Sequence, residues 1–443
     1  MRVTAHRATR RRGAALVALT AVGALALTAC SGGDSGIVPS DQEGGKGGDV
    51  EIRFSWWGSD DRHKTTEQII DLFEEKNPGI TVVPDYTDWG GYWDKLATAT
   101  AGGDTPDVIT QEERYLSDYA SRGVIADLGA LDIDTSEISD DILTTGEVGG
   151  KLVGIPTGVN AYALVADPQI FADAGVDMPD DTTWTWEDYV DIAGKISKGA
   201  GKGVWGTQDY GFNEAGLAVL ARQKGETLYT PDGELGVSKE TVAQFFQTSL
   251  DLMANGGQPD ASRSVEYQNA GPEGSLLGTN AGAMGVWWSN QLGALSDASG
   301  RDLELLRLPG ESEYERTGMY FKPAMYYSVS AKSKHPEEAA KLVDFLLNDP
   351  DAAKLQLTDR GLPANMKVRE AILPDLTAAD QRMADFMAEL EDDVVDNPPV
   401  PPNGANEMQD IITRINTEVL FERMTPDQAA DAFLQDVGAA IGG

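Results

Sequence analysis

Apolar and polar positions alternate at Val50, Glu51, Ile52, Arg53 and Phe54, the period of a half-buried strand that runs into Trp56-Trp57-Gly58-Ser59. The period then changes. Ile69, Ile70, Leu72 and Phe73 make the stripe of an amphipathic helix, Asn77-Pro78-Gly79 stops it, and residues 80–83 predict the next strand. Strand, helix and strand in this order form a βαβ unit, whose crossover is right-handed and whose ligand sites fall beyond the carboxyl ends of the strands. The alternation continues with a helix over 92–101, a turn over 102–106, a strand over 107–110 and a helix over 115–121. From there to Gly150 the chain is mostly turn and acidic loop.

Residues 151–156 and 161–165 predict short strands, and 186–197, 214–223, 239–254 and 273–277 predict helices separated by Gly-rich turns. Strands follow over 283–287 and 325–331. Pro336 opens a helix whose Ala339, Leu342, Val343 and Leu346 lie on one face. The last seventy residues read as helices, interrupted by Pro398-Pro399-Val400-Pro401-Pro402, and no repeat of fixed period occurs. The pattern is that of an α/β protein.

Before Val50 the pattern is of another kind. Arg2, Arg7, Arg10, Arg11 and Arg12 precede an apolar stretch over 14–27 that is short for a membrane span and suits the core of a signal peptide. It ends Leu27-Thr28-Ala29-Cys30, which resembles the lipobox of bacterial lipoproteins, and Cys30 is the only cysteine. Residues 1–29 are therefore expected to be a lipoprotein signal peptide and Cys30 the lipidated residue. Thr9-Arg10-Arg11-Arg12 leaves the twin-arginine and the general secretory routes both open. Residues 30–49, rich in Gly and Ser, are expected to be a flexible tether.

Composition narrows the chemistry. A formal charge of −37 over 443 residues excludes a protein that neutralises phosphates, so no nucleic-acid partner is expected. One cysteine allows neither an internal disulfide nor a thiolate cluster, and three histidines make a His-rich metal site untenable; no metal and no cofactor are expected. The Gly-rich turns lack the spacing of a phosphate-binding loop.

Nine tryptophans, mostly in close pairs, are the notable apolar resource. Period two sends the two rings of a strand-end pair to opposite faces, one toward the core and one toward solvent or ligand. Trp57 and Trp89, each followed by glycine, are expected at a ligand cleft, with Ser59 beside them, whereas Trp184 and Trp186 suit the packing of a helix start. Gln111 and Glu112 follow a strand directly and are the leading polar candidates. Trp287, Trp288 and Asn290 follow another strand and present two rings and an amide. Asp209, Tyr210, Met325 and Tyr326 are further candidate contacts. Aromatic faces combined with carboxylates and amides suit sugars, whose C–H faces stack and whose hydroxyls need directional hydrogen bonds.

The ordered set of Trp57-Gly58, "FEEKNPGI" over 73–80, "GGDTPDV" over 102–108, Ile155-Pro156, Trp184-Thr185-Trp186-Glu187-Asp188 and "AKSKHPEEAAKLVDFLL" over 331–347 resembles the extracytoplasmic solute-binding lipoproteins of ABC sugar importers, the maltodextrin-binding-like family. The resemblance covers the chain from the lipobox onward. It implies a two-lobe periplasmic-binding-protein-like fold with the ligand cleft between the lobes. Residues 50–157 plus 328–372 would form lobe one, and 160–322 plus 373–443 lobe two. It also implies a carbohydrate ligand, in all expectation an oligosaccharide, ABC importer permease subunits as partners, a monomer, and a site at the outer face of the cytoplasmic membrane, held there by the lipid on Cys30. Pro402-Asn403-Gly404-Ala405-Asn406 departs from the family pattern, where a further aromatic contact is expected. A neutral or basic sugar is favoured because the candidate positions hold acids and no arginine; Arg360 is the residue that could reverse this. The competing class is a secreted glycosidase-like or other carbohydrate-active lipoprotein working through two carboxylates. No catalytic residue is assigned.

Overall fold

The computed structural model describes residues 50–442 apart from 269 and 315. The expected leader, the tether and Cys30 lie outside these residues. Twelve strands are present among the described residues: β1 (Val50–Trp57), β2 (Ile80–Thr87), β3 (Val108–Gln111), β4 (Glu147–Val148), β5 (Lys151–Leu152), β6 (Ile155–Asn160), β7 (Tyr162–Ala166), β8 (Trp205–Thr207), β9 (Gly282–Trp288), β10 (Glu304–Leu306), β11 (Lys322–Val329) and β12 (Leu362–Pro363).

Six of them make one sheet, in the order β12-β6-β11-β3-β1-β2, and four make another, β10-β7-β9-β8. Within the first, β1 pairs in parallel with both β2 and β3; helix Asp60–Lys76 leads from β1 to β2 and helix Trp89–Gly102 from β2 to β3. Strands β11 and β12 join it antiparallel. In the second sheet β8 and β9 are parallel, and β7 and β10 are antiparallel to their neighbours.

Helices cover both faces of the first sheet. Ile52, Phe54 and Trp56 point to one face and share a core with Phe73 of helix Asp60–Lys76 and Phe345 of helix Pro336–Asn348, whose rings lie 5.3 Å apart. Trp57 and Ile109 point to the other, against Tyr92, Trp93 and Leu96 of helix Trp89–Gly102 and Leu116 of helix Glu113–Ser121. On the second sheet, helix Trp186–Gly199 packs against β8 and β9, while helix Ala378–Leu390 packs against β10. The α/β class read from the sequence pattern, and the two-lobe arrangement that the resemblance implies, are those observed.

The sheets are joined where β6 continues into β7 with only Ala161 between, and again where residues 307–321 lead from β10 to β11. Close backbone approach fixes the first crossing. A Cβ on Gly158 would lie 2.5 Å from the Arg360 carbonyl oxygen and 2.8 Å from that of Leu362, so any larger residue forces β12 off β6.

Several boundaries differ from the periodicity reading. Strand β11 begins at Lys322, three residues before the expected start, because the register slips between Pro323 and Met325 and hides the alternation. The helix expected over 273–277 is one turn, Gly271–Gly274, opened by Pro272. Helices Pro168–Ala174 and Ala261–Gln268 are additional; the first carries Asp167 as its cap and Pro168 in its first turn.

Candidate functional site

Strands β1 and β3 of the first sheet and β9 of the second all end in one region, and the side chains beyond these ends touch. Trp56 turns into the core beside Phe54, with ring centroids 4.9 Å apart. Trp57 takes the other face, where its ring lies 4.9 Å from Trp89, 5.2 Å from Tyr92 and 5.6 Å from Trp93. Tyr115 stacks flat on Trp93 at 3.6 Å. Of this cluster Trp57 is buried and Trp89 is 40% exposed, so Trp89 presents the open ring. Ser59 is exposed and caps helix Asp60–Lys76 by accepting from the Arg62 amide.

Gln111, the last residue of β3, has no exposed surface, and neither of its amide atoms has a hydrogen-bond partner among the described residues. An unpaired buried amide costs on the order of 1–3 kcal/mol, which makes Gln111 a donor and acceptor in reserve for a guest. Asn160 Oδ1, at the end of β6, and Trp287 Nε1, on β9, are buried and unpaired in the same way.

Glu112 is committed to the protein itself. Its Oε2 accepts from the Arg114 amide at 2.9 Å and from Arg114 Nε at 3.1 Å, and its Oε1 accepts from Lys322 Nζ at 3.1 Å. Burial disfavours the carboxylate, but Lys322 and Arg114 outweigh it and hold the pKa down to about 2. Lys322 also pairs with Glu113 at 3.3 Å and lies over the Trp288 ring, 5.3 Å from its centroid. For Glu113 burial outweighs the pull of this lysine and, with the neighbouring Glu112 charge added, raises its pKa to about 7. Arg114 reaches across to Glu214, 3.7 Å away at the start of helix Glu214–Gln223. The chain Glu112–Lys322–Trp288 and the pair Arg114–Glu214 thus tie the ends of the first sheet to the second.

Two cavities flank this knot. One, of about 210 Å³, lies beyond the carboxyl ends of β8 and β9 and is lined by Tyr162, Gln208, Asn213, Trp287, Trp288 and Gln291 among others. The Tyr162 and Trp288 rings pack at 5.0 Å as opposed residues of the β7–β9 ladder. The second cavity is walled by Glu113, Arg114, Glu214, Tyr229, Tyr320 and the proline segment at 398–401. Lys322 links them, touching Glu113 of one and Trp288 of the other. Trp287 and Trp288 thus line the first cavity, while Asn290 is half-buried and is not among its lining residues.

Four candidates have partners within the protein itself, and two of them, Asp209 and Tyr210, also line the cavity beyond β8 and β9. Asp209 is buried and accepts from the Gly211 amide at 2.8 Å, Gln258 Nε2 at 2.7 Å and Asn416 Nδ2 at 2.9 Å; burial raises its pKa despite these donors. Tyr210 donates its hydroxyl to the Phe245 carbonyl at 2.8 Å inside the second lobe. Tyr326 donates to the Thr145 carbonyl at 3.0 Å, and Met325 lies in the ring cluster beneath Trp57. Arg360 is fully buried, donating to Gln356 and Thr66, and stays inside the first lobe. Trp186 is buried, as a helix start requires, with its Nε1 on Gln223 at 3.0 Å. Glu113, Tyr162, Glu214 and Lys322 carried no signal in the sequence, since a single charge or ring at a helix start or strand end is common. Only the pairing of β7 with β9 and of β11 with β3 brings them in.

The model of the bacterial extracellular solute-binding proteins matches residues 57–353, more than half of the chain. The chain belongs to that family. Its arrangement, a solute cleft between two α/β lobes, is the one found here. An extracellular solute-binding protein family 1 structure from Alicyclobacillus acidocaldarius subsp. acidocaldarius DSM 446 is similar at 27% identity and a TM-score of 0.71, over 90% of this chain and 100% of that one. An uncharacterized lipoprotein of Streptomyces antibioticus is 26% identical over 76% of this chain and 74% of its own. An arabinooligosaccharide-binding protein of Halalkalibacterium halodurans is 27% identical over 35% of this solute-binding protein and 34% of its own length. Among the described residues no helix is long and apolar enough to cross a membrane, and no cluster of His, Cys, Asp and Glu could hold a metal ion.

Proposed function

We propose that the solute is a carbohydrate, an oligosaccharide, taken up between the lobes and delivered to the permease subunits of an ABC importer. The observation that carries this reading is an open ring, Trp89, at a helix start after β2, together with half-buried Trp287 and Trp288, the unpaired buried amide of Gln111 and the unpaired Oδ1 of Asn160 at strand ends from both lobes. Rings stack on sugar faces and amides serve hydroxyls as donor and acceptor at once. The partial similarity to an arabinooligosaccharide-binding protein supports the same class. The site we assign comprises Trp57 as support, Trp89, Gln111, Trp287, Trp288 and Asn290, joined by Tyr162 and Gln208.

In this reading the protein binds without turnover. Hydrolysis needs a pair of carboxylates, one of them free to attack or activate water, and Glu112, the acid that the sequence singles out, has both oxygens occupied by Arg114 and Lys322. The chain acts as a monomer, held at the outer face of the cytoplasmic membrane by a lipid on Cys30 behind a signal peptide. Thermal-shift screening of residues 50–443 against arabino-, malto-, cello- and galactotriose tests the ligand class: stabilisation by at least one is expected, and none by any would exclude it. A day's incubation should return the bound sugar intact. Expression of Cys30→Ala in the native host should leave precursor or release protein; correct processing with retention on the membrane would refute the anchor.

A further inference from the structure

Among the described residues, Arg62, Arg114, Lys322 and Arg360 near the strand ends each lie within 4.0 Å of a carboxylate. Arg62 forms a two-pronged pair with Asp359, with Nε–Oδ2 at 2.8 Å and Nη2–Oδ1 at 3.1 Å. Arg360, fully buried, lies 4.0 Å from the same Asp359. Arg114 is shared between Glu112 and Glu214, and Lys322 between Glu112 and Glu113. Of the residues lining the two cavities, Arg114 is the only cation, against Glu113, Glu214 and Asp209. The knot between the lobes thus holds three glutamates against one arginine and one lysine, all largely out of water. Glu214 Oε2 is buried without a partner. A guest carboxylate would find no free ammonium or guanidinium and, once Glu113 is ionised above about pH 7, would meet an excess of one negative charge at low local dielectric. The fully buried, unpaired amide of Gln111, next in sequence to the knot, supplies the complementary preference, since an amide serves neutral hydroxyls.

Resting on the carbohydrate reading, we infer that this cleft selects by charge, admitting uncharged saccharides and rejecting those that carry carboxylates, and that Glu113 is the residue that sets this selectivity. Glu112 is neutralised by two partners, whereas Glu113 has one ion pair, to a lysine it shares, and faces the second cavity. Burial raises its pKa, with the Glu112 charge adding to this against the pull of Lys322, so its charge appears only toward the alkaline side.

The test separates charge from shape. The trisaccharide that binds best is converted at either end to a carboxylate and, in parallel, to the near-isosteric carboxamide, and both are titrated calorimetrically at pH 8 on the end that tolerates the carboxamide better. The carboxamide should bind at least tenfold more tightly than the carboxylate; a smaller ratio overturns the inference while leaving sugar binding intact. Glu113→Gln should reduce that ratio at least threefold, and an unchanged ratio removes Glu113 from the role. If Glu113→Gln does not fold, the parent's ratio between pH 5.5 and 8.5 replaces it. Rejection should deepen as Glu113 ionises against Glu112, Glu214 and Asp209, with Arg114 and Lys322 charged throughout; a flat ratio counts against it. If no trisaccharide binds at all, the carbohydrate reading falls and this inference falls with it.

Discussion

Trp57 and Trp89 are neighbours with opposite duties, and their difference in exposure sets what each substitution does. Trp57 fills a cluster with Trp89, Tyr92 and Trp93 and is 7% exposed. Trp57→Ala should therefore cost about 3–5 kcal/mol of stability, and any loss of binding would be confounded with unfolding. Trp89→Ala removes the open ring: about 1 kcal/mol of stability, but about 1–3 kcal/mol of sugar affinity. Denaturation and calorimetry on both variants check this; equal losses of stability would mean that Trp89 is core. The glutamate pair gives a second outcome at this scale. Glu113 stays protonated in the folded state up to about pH 7, so the stability it contributes is full below the ordinary carboxylate range and lost as pH rises through about 7. Glu112 has the reverse sign, contributing above that range and losing it as pH falls through about 2. Glu113→Gln should thus gain stability relative to the parent between pH 4.5 and 7, on the order of 1–3 kcal/mol, and Glu112→Gln should lose it above pH 4.5. Urea midpoints across pH 3–8 would show whether the two differences run in opposite directions.

Among the elements, those governed by a clean period were legible and those governed by pairing were not. Helices Glu214–Gln223 and Lys239–Ala254 carry continuous apolar stripes and start and stop as the pattern predicts. Strand β11 hides behind Pro323 and a register slip, so Lys322, which joins both lobes, could not be placed. Alternation did separate Trp56 from Trp57, but Trp57 is buried in a ring cluster and Trp287 and Trp288 line one cavity together, which the period alone does not foretell. Asp209 follows a strand end as Gln111 does, and nothing local distinguishes a structural acceptor from a ligand contact. The difference comes from Asn416 and Gln258, which lie far along the chain. Asp209 ties the segment after β8 to helix Met408–Leu420, so Asp209→Ala, which strands the Gly211 amide and two side-chain amides, should cost about 2–4 kcal/mol. Chemical denaturation would measure it. A loss below about 1 kcal/mol would leave the cavity wall, not the structural tie, as its main role.

At the scale of the whole molecule, the described arrangement is too closed to admit its proposed ligand. The cavity beyond β8 and β9 holds about 210 Å³, below the roughly 300–1,000 Å³ of small-molecule sites, so entry requires the lobes to part about the crossings at Ala161 and residues 307–321. Parting them would break Arg114–Glu214 and the contacts of helix Glu113–Ser121 with the proline segment, where Ser117 donates to the Pro401 carbonyl at 2.7 Å and Asn403 donates to Ser121 at 3.3 Å. At 3.7 Å, and with about a fifth of each side chain exposed, the ion pair is worth about 1 kcal/mol or less. Glu214→Gln should accordingly move the sugar-free population toward the open form and weaken affinity by no more than about fivefold, since a ligand gains only the difference between the two states. Small-angle scattering with and without saturating sugar reads this directly. Without sugar the variant should show a larger radius of gyration than the parent, and with sugar both should reach the same compact value. Identical sugar-free radii would show that the pair does not hold the lobes together, leaving closure to the proline segment and to the rings that meet across the cleft.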